Sequence, residues 1–121
     1  MLKKEYRLKN TKAFDATYKQ KQVVSNNLFR IFIGRKKANE NIDLPIKLGF
    51  VVSKKYHKRA VKRNRIKRLM REAFRLLIME QKLGNANLYM SLIVQPKNYS
   101  YDLSLNDVKT SIIELLEKIR G

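Results

Sequence analysis

Residues 46–94 read IKLGFVVSKKYHKRAVKRNRIKRLMREAFRLLIMEQKLGNANLYMSLIV, and the change of hydrophobic period along them decides the fold. From Ile46 to Ser53 the pattern has period two, with Leu48, Phe50 and Val52 on one side, as in a strand. From Ala60 to Met79 the period becomes helical: Ile66, Leu69, Met70, Ala73, Leu76 and Leu77 fall in one stripe about 120° wide. Gly84 and the run Asn85 to Asn87 break the helix, after which Leu88, Met90, Leu92 and Val94 alternate with Tyr89, Ser91, Ile93 and Gln95 up to Pro96. Strand, helix and strand in this order predict two parallel strands in one sheet, and the general chirality rule makes the crossover right-handed.

The flanks extend that unit. Asn10 to about Gln20 predicts a short helix, with Asn10 or Thr11 as cap and Phe14 and Tyr18 one turn apart. Leu28 to Gly34 predicts a strand with Phe29, Ile31 and Ile33 on one face and Leu28, Arg30 and Phe32 on the other. The polar stretch from Arg35 to Pro45 suits a loop. Ser104 as cap, with Asp107 three residues on, opens a last helix carrying Leu105, Val108, Ile112, Leu115 and Ile119 on one face. No repeat or linker divides residues 1–121, so the expectation is a single domain of the α/β (α+β) class, helices packed on a small mixed sheet.

Charge narrows the function. Twenty-eight Lys and Arg against 10 Asp and Glu give +18, and residues 54–75 concentrate eleven of the cations against one acid, Glu72. Crowding like charges costs self-repulsion that an ordinary surface avoids by mixing signs, so the segment is expected to bind a polyanion. Asn64, Lys67, Arg68, Arg71 and Arg75 lie on the helix side opposite the apolar stripe, while Lys62 to Arg68 put guanidinium and ammonium groups near its N-terminus. Guanidinium forks match phosphate oxygens, and helix N-termini add N–H donors of the same sign. The expected RNA-binding residues are Lys54, Lys55, Arg63, Asn64, Arg65, Lys67, Arg68 and Arg71.

Aromatic side chains specify the polyanion, because single strands are gripped by stacking as well as by charge. Phe32 shares a strand face with Arg30, so it either packs under the first helix or offers a stacking surface; Phe14 and Tyr18 face the same two readings, which are not exclusive. Tyr89 is a weaker candidate on the outward face of the third strand. An intrinsic enzyme is not expected. There is no cysteine, the single His57 has no second histidine to form a two-histidine nuclease site, and the dispersed carboxylates make no two-metal centre. No glycine-rich phosphate loop or zinc signature appears. No apolar run is long enough to cross a bilayer and the N-terminus lacks a secretory h-region, so the expected location is cytoplasmic, with neither membrane nor DNA as partner.

At Leu48-Gly49-Phe50-Val51-Val52-Ser53-Lys54-Lys55, and again from Ala60 through Arg63-Asn64-Arg65 to Phe74, the chain closely resembles the protein subunit of bacterial ribonuclease P. Arg7-Leu8-Lys9 and Phe14 extend the likeness, and the element order matches over essentially the whole chain. The resemblance implies a two-layer sandwich with a left-handed crossover, contrary to the general rule. It also implies that ribonuclease P RNA performs the hydrolysis with magnesium bound mainly by the RNA and none held tightly by the protein. The protein would bind that RNA and guide the 5′ leader of precursor tRNA through a cleft between the sheet and the first helix. Phe14, Tyr18 and Phe32 look like cleft-lining residues; Arg30 and Tyr89 join them from the reading of the strands. Two departures bear on this. Tyr56-His57-Lys58-Arg59 is one residue longer than the family's usual loop and lacks its glycine, and Gln95 stands where the family commonly has an arginine before the proline. The alternative from charge and size alone is a ribosomal or ribosome-assembly protein.

Overall fold

Alternation along the strands divides one sheet into two unlike faces, and the helices sort between them. The computed structural model describes residues 3–35, 46–84, 86, 89–97 and 103–119. After a short 3-10 turn at Lys4–Tyr6 come helix α1 (Thr11–Lys19), strands β1 (Gln22–Ser25), β2 (Phe29–Gly34) and β3 (Lys47–Phe50), helix α2 (Ala60–Met79), strand β4 (Ser91–Pro96) and helix α3 (Leu105–Glu117). The strand order is β1-β2-β4-β3. β1 and β4 flank β2 antiparallel, while β3 and β4 run parallel, as expected for strands joined by a helical crossover.

Register places Ile31 beside Val94 and Ile33 beside Leu92, with Phe50 and Leu48 completing the two rows. These side chains face α2 and α3 and form the main core with Ile66, Met70, Phe74, Leu77, Val108, Ile112 and Leu115. On the other face Phe32 lies beside Ile93 and Arg30 beside Gln95, and this is where α1 packs.

α2 has the expected bounds, but its buried stripe is turned toward Phe74, which is fully enclosed and touches Phe50 edge-on at 5.7 Å. Leu69 and Leu76, at the other margin of the expected stripe, are only half-buried. The helix stops before Gly84: Gln81 adopts a left-handed φ of 55°, and Lys82 N–H closes back on Leu77 O at 2.9 Å. The first strand of the parallel pair ends at Phe50 rather than Ser53. β1 is an element the hydrophobic pattern did not mark, because its four residues, two of them valines, alternate between half-buried and exposed at a sheet edge. The expected loop falls largely on residues 36–45, outside the described residues.

Local chemistry sets the helix starts. The Asn10 side chain accepts from Lys12 N–H at 2.8 Å. At α3 the Ser104–Asp107 capping box is complete, with bonds of 3.2 and 3.0 Å.

Candidate nucleic-acid interface

α1 approaches the sheet closely at two glycines. At Gly34 a Cβ would collide with Ser91 Oγ, whose 2.6 Å hydrogen bond to Thr17 Oγ1 ties the helix to β4. At Gly49 a Cβ would stand 2.6 Å from Phe14 Cε1, so the ring rests on bare backbone. Ile93 is fully buried between them.

Beyond Ile93 the face opens. Tyr18 meets Phe32 edge-on, with ring centroids 4.8 Å apart at 72°. Phe32 is half-buried and its neighbour Arg30 is exposed, so one aromatic both packs against α1 and borders open, cationic surface. Gln95 Nε2 donates to the Tyr18 hydroxyl at 3.0 Å. Burial pushes the Tyr18 phenol above its ordinary value of 10.0, with the Gln95 bond pulling the other way, so the group is neutral at physiological pH. Tyr89 does not join this group: β4 begins only at Ser91, so the alternation expected from Leu88 does not carry to Tyr89, which packs against the main core.

The basic segment supplies two kinds of cation. Arg63 Nη1 donates to the carbonyls of His57 and Lys58, each at 2.8 Å, and Arg65 Nη2 donates to Leu103 O at 2.8 Å. Those guanidinium groups brace the backbone around them. The longer loop without glycine is further pinned from inside by Tyr56, which is buried in the core, and by the turn bond from Tyr56 N–H to Ser53 O. His57 is a loop residue whose Nδ1 accepts from Arg59 N–H at 3.0 Å. Lys54, Lys55, Asn64, Arg68 and Arg71 are exposed, and Lys67 is half-exposed. Arg75 leaves the cationic face: both its Nε and Nη2 donate to Glu72, whose carboxyl is held below its ordinary range by that guanidinium. No side chain caps the start of α2, and its first turn contains no acid, which suits an approaching anion.

The two kinds of surface are continuous. A groove of about 620 Å³ at the β3 edge is walled by Arg7, Lys9, Phe14, Gly49, Arg68 and Arg71, so Phe14 belongs both to the α1–sheet contact and to the flank of the basic helix. At the opposite end of the same sheet face, Arg30 and Gln95 share a second groove of about 700 Å³ with Ser53, Lys55 and Lys97. The aromatic pair adjoins the second groove through Gln95, which bonds Tyr18, and Arg30, two residues from Phe32 on β2. Sequence reasoning passed over Lys97 and Gly49 as site residues; the signal for Gly49 is an isolated glycine in a strand pattern, a mark of close backbone approach.

Among the described residues no group of three His, Asp or Glu side chains is placed to hold a metal ion. No helix among them is long and apolar enough to cross a membrane.

The chain is similar to known proteins over nearly its whole length. Residues 2–120 match the family model described as Ribonuclease P. The chain is 35% identical over 113 residues to the ribonuclease P protein component of Clostridium kluyveri, covering 93% of each. It is 32% identical over 119 residues to that of Shouchella clausii, covering 98% of this chain and 89% of the relative. Its structure superposes on the Staphylococcus aureus RNase P protein with a TM-score of 0.73 at 28% identity, over 95% of both chains. The fold is shared also with the RNase P protein of Thermotoga maritima, at a TM-score of 0.74 and 22% identity over 95% and 98% of the two chains.

Proposed function

The chain belongs to the bacterial ribonuclease P protein family, as a protein component of that ribonucleoprotein endonuclease, and from that premise we propose which surface meets which RNA. The cations around α2 bind ribonuclease P RNA. The cleft of Phe14, Tyr18, Phe32 and Arg30 takes the 5′ leader of precursor tRNA. Hydrolysis belongs to the RNA, with magnesium bound by it, and the complex works in the cytoplasm.

The observation that carries the leader assignment is the aromatic pair Tyr18–Phe32 beside a cationic groove, to which Tyr18 is joined through its bond to Gln95 and Phe32 through its strand neighbour Arg30. A single strand needs that combination: bases find a π surface while phosphates find charge next to it. A duplex would offer its bases no such access. The protein's part in the reaction is therefore binding. Its cations neutralise phosphates of both RNAs, which lowers the magnesium needed, and its hold on the leader favours precursor over mature tRNA. No protein side chain acts as acid or base. The ribosomal alternative shares the charge but not the family match over residues 2–120.

The test is cleavage of a precursor tRNA by bacterial ribonuclease P RNA at low magnesium, with and without the protein. Stimulation requiring both partners, with the protein alone inert, is expected; tight RNA binding without stimulation would overturn the reading. Phe32→Ala is expected to weaken the holoenzyme's hold on precursor more than on mature tRNA, and equal losses would remove the leader from this cleft.

A further inference from the structure

We propose that Gln95 is a positioning residue for leader recognition: its side-chain amide occupies the acceptor side of the Tyr18 hydroxyl and so leaves the phenolic proton to be donated to an acceptor on the leader. The proposal rests on the reading that the leader lies in this cleft, and it deepens that reading by naming the chemistry the cleft offers beside Phe32.

α1 has only nine residues, and among the described residues two side-chain hydrogen bonds join it to the sheet: Thr17 to Ser91 and Tyr18 to Gln95. The first is buried beneath the helix, whereas the second lies where the cleft opens. Gln95 sits on β4 in register with Arg30 of β2, one residue past the last pairing to β3 at Val94, so its backbone is held by the antiparallel ladder. With Gln95 donating, the hydroxyl oxygen is engaged and its proton is directed elsewhere. Burial keeps the phenol protonated, so it remains a donor. The edge contact with Phe32 fixes the ring plane and hence the arc through which that proton can point.

The register explains why a neutral side chain serves at this position. Arg30 is the strand neighbour of Gln95, and it already brings a cation to the second groove. An amide beside it can hold Tyr18 without competing for the same phosphate. The ligand chemistry is a hydrogen-bond acceptor, available on a leader either as a phosphate oxygen or as a base carbonyl or ring nitrogen.

The experiment uses the holoenzyme reconstituted with bacterial ribonuclease P RNA and reads the ratio of affinities for precursor and mature tRNA. Gln95→Met and Tyr18→Phe keep the shape of each side chain while removing one half of the relay. Each is expected to lower the ratio by roughly 3- to 10-fold, the range of one net hydrogen bond. The double variant is expected to lose no more than the worse single, because both act through one proton. An unaffected ratio in Gln95→Met, or losses that multiply in the double variant, would overturn the proposal.

A second readout needs no RNA. The ultraviolet titration of Tyr18, isolated by difference against Tyr18→Phe, is expected to move to higher pH in Gln95→Met; an unmoved titration counts against the bond. The acceptor is then found with leaders carrying methylphosphonate linkages or abasic nucleotides. Whichever erases the difference between wild type and Tyr18→Phe identifies phosphate or base, and if neither does, the donor role fails. Should Phe32→Ala abolish leader preference while Gln95→Met preserves it, the cleft reading survives and this proposal alone falls.

Discussion

The Phe14 ring lies on the α-carbon of Gly49, so close that any side chain there would enter the ring: an added Cβ would be 2.6 Å from Cε1 and 2.7 Å from Cζ. The glycine is thus what lets α1 settle on the sheet and puts Phe14 at the groove that leads to Arg68 and Arg71.

Gly49→Ala is therefore expected to destabilise the protein by about 1–3 kcal/mol, the usual cost of overpacking. Because the two closest contacts are both with one ring, and Leu8 Cδ2 at 3.3 Å is the end of a flexible side chain, the same substitution made in a Phe14→Ala background is expected to cost less than half as much. Urea denaturation of the four proteins measures both numbers. Equal costs in the two backgrounds would mean that Gly49 is required for some reason other than Phe14.

Arg63 is expected to behave as a brace for the 54–59 turn. Its Nη1 donates to both the His57 and the Lys58 carbonyl, and a lysine side chain, one bond shorter, does not carry its ammonium to that position. Arg63→Lys keeps the charge yet is expected to give up most of the RNA affinity lost in Arg63→Ala, whereas Arg68→Lys, at an exposed position, is expected to retain affinity. Hydrogen exchange at the amides of residues 56–59 is expected to rise in both Arg63 variants. Full retention of affinity by Arg63→Lys would return that residue to the role of a simple charge.

How far the sequence foretold these arrangements follows from the kind of interaction involved. Periodicity reports burial, so α2 from Ala60 to Met79 and the Phe29, Ile31, Ile33 face were legible from it, as was the Ser104 cap from a local pairing rule. β1 was not, because a four-residue edge strand buries too little to imprint a pattern. Phe74 was missed because the idealised wheel was centred on leucines, while the real stripe turns to meet Phe50 across the sheet. Tyr89 was misplaced by extending an alternation past the point where β4 begins. Candidate-site residues were found by type, but their division of labour depends on their partners: Gln95 with Tyr18 and Arg65 with Leu103, distant in sequence, and Arg75 drawn to Glu72 one helical turn back.

Acid should act on the protein first through its few carboxylates. The Asp107 carboxyl is held below its ordinary value of 3.8 by the Ser104 backbone N–H first and the Ser104 hydroxyl second. A group depressed on folding contributes stability that is complete above its unfolded value and is lost as pH falls through the folded one. Glu72 and Glu80, depressed by Arg75 and Lys109, share that sign. Thermal stability is thus expected to be level down to about pH 5 and to decline below it. Ser104→Ala is expected to make the decline shallower as well as lowering the plateau by about 1 kcal/mol for the lost cap. A parallel downward shift, with the pH slope unchanged, would mean that the Ser104 hydroxyl takes no part in holding the Asp107 carboxyl and that the backbone N–H alone does so.

Salt dependence separates cations that meet phosphates from those already neutralised within the protein. If the exposed cations around α2 and the cleft neutralise about six phosphates, log affinity for RNA should fall against log salt with a slope of roughly −4 to −5. Arg68→Ala and Arg71→Ala, at exposed positions on the groove wall, are each expected to make that slope shallower by about one. Lys109 is engaged elsewhere, its Nζ 2.6 Å from Glu80. Lys109→Gln should leave the slope unchanged although it alters net charge by the same amount. Binding isotherms across a series of potassium chloride concentrations distinguish the two classes. If all three variants shift the slope alike, affinity follows the total charge of the protein and the groove beside α2 holds no particular phosphates.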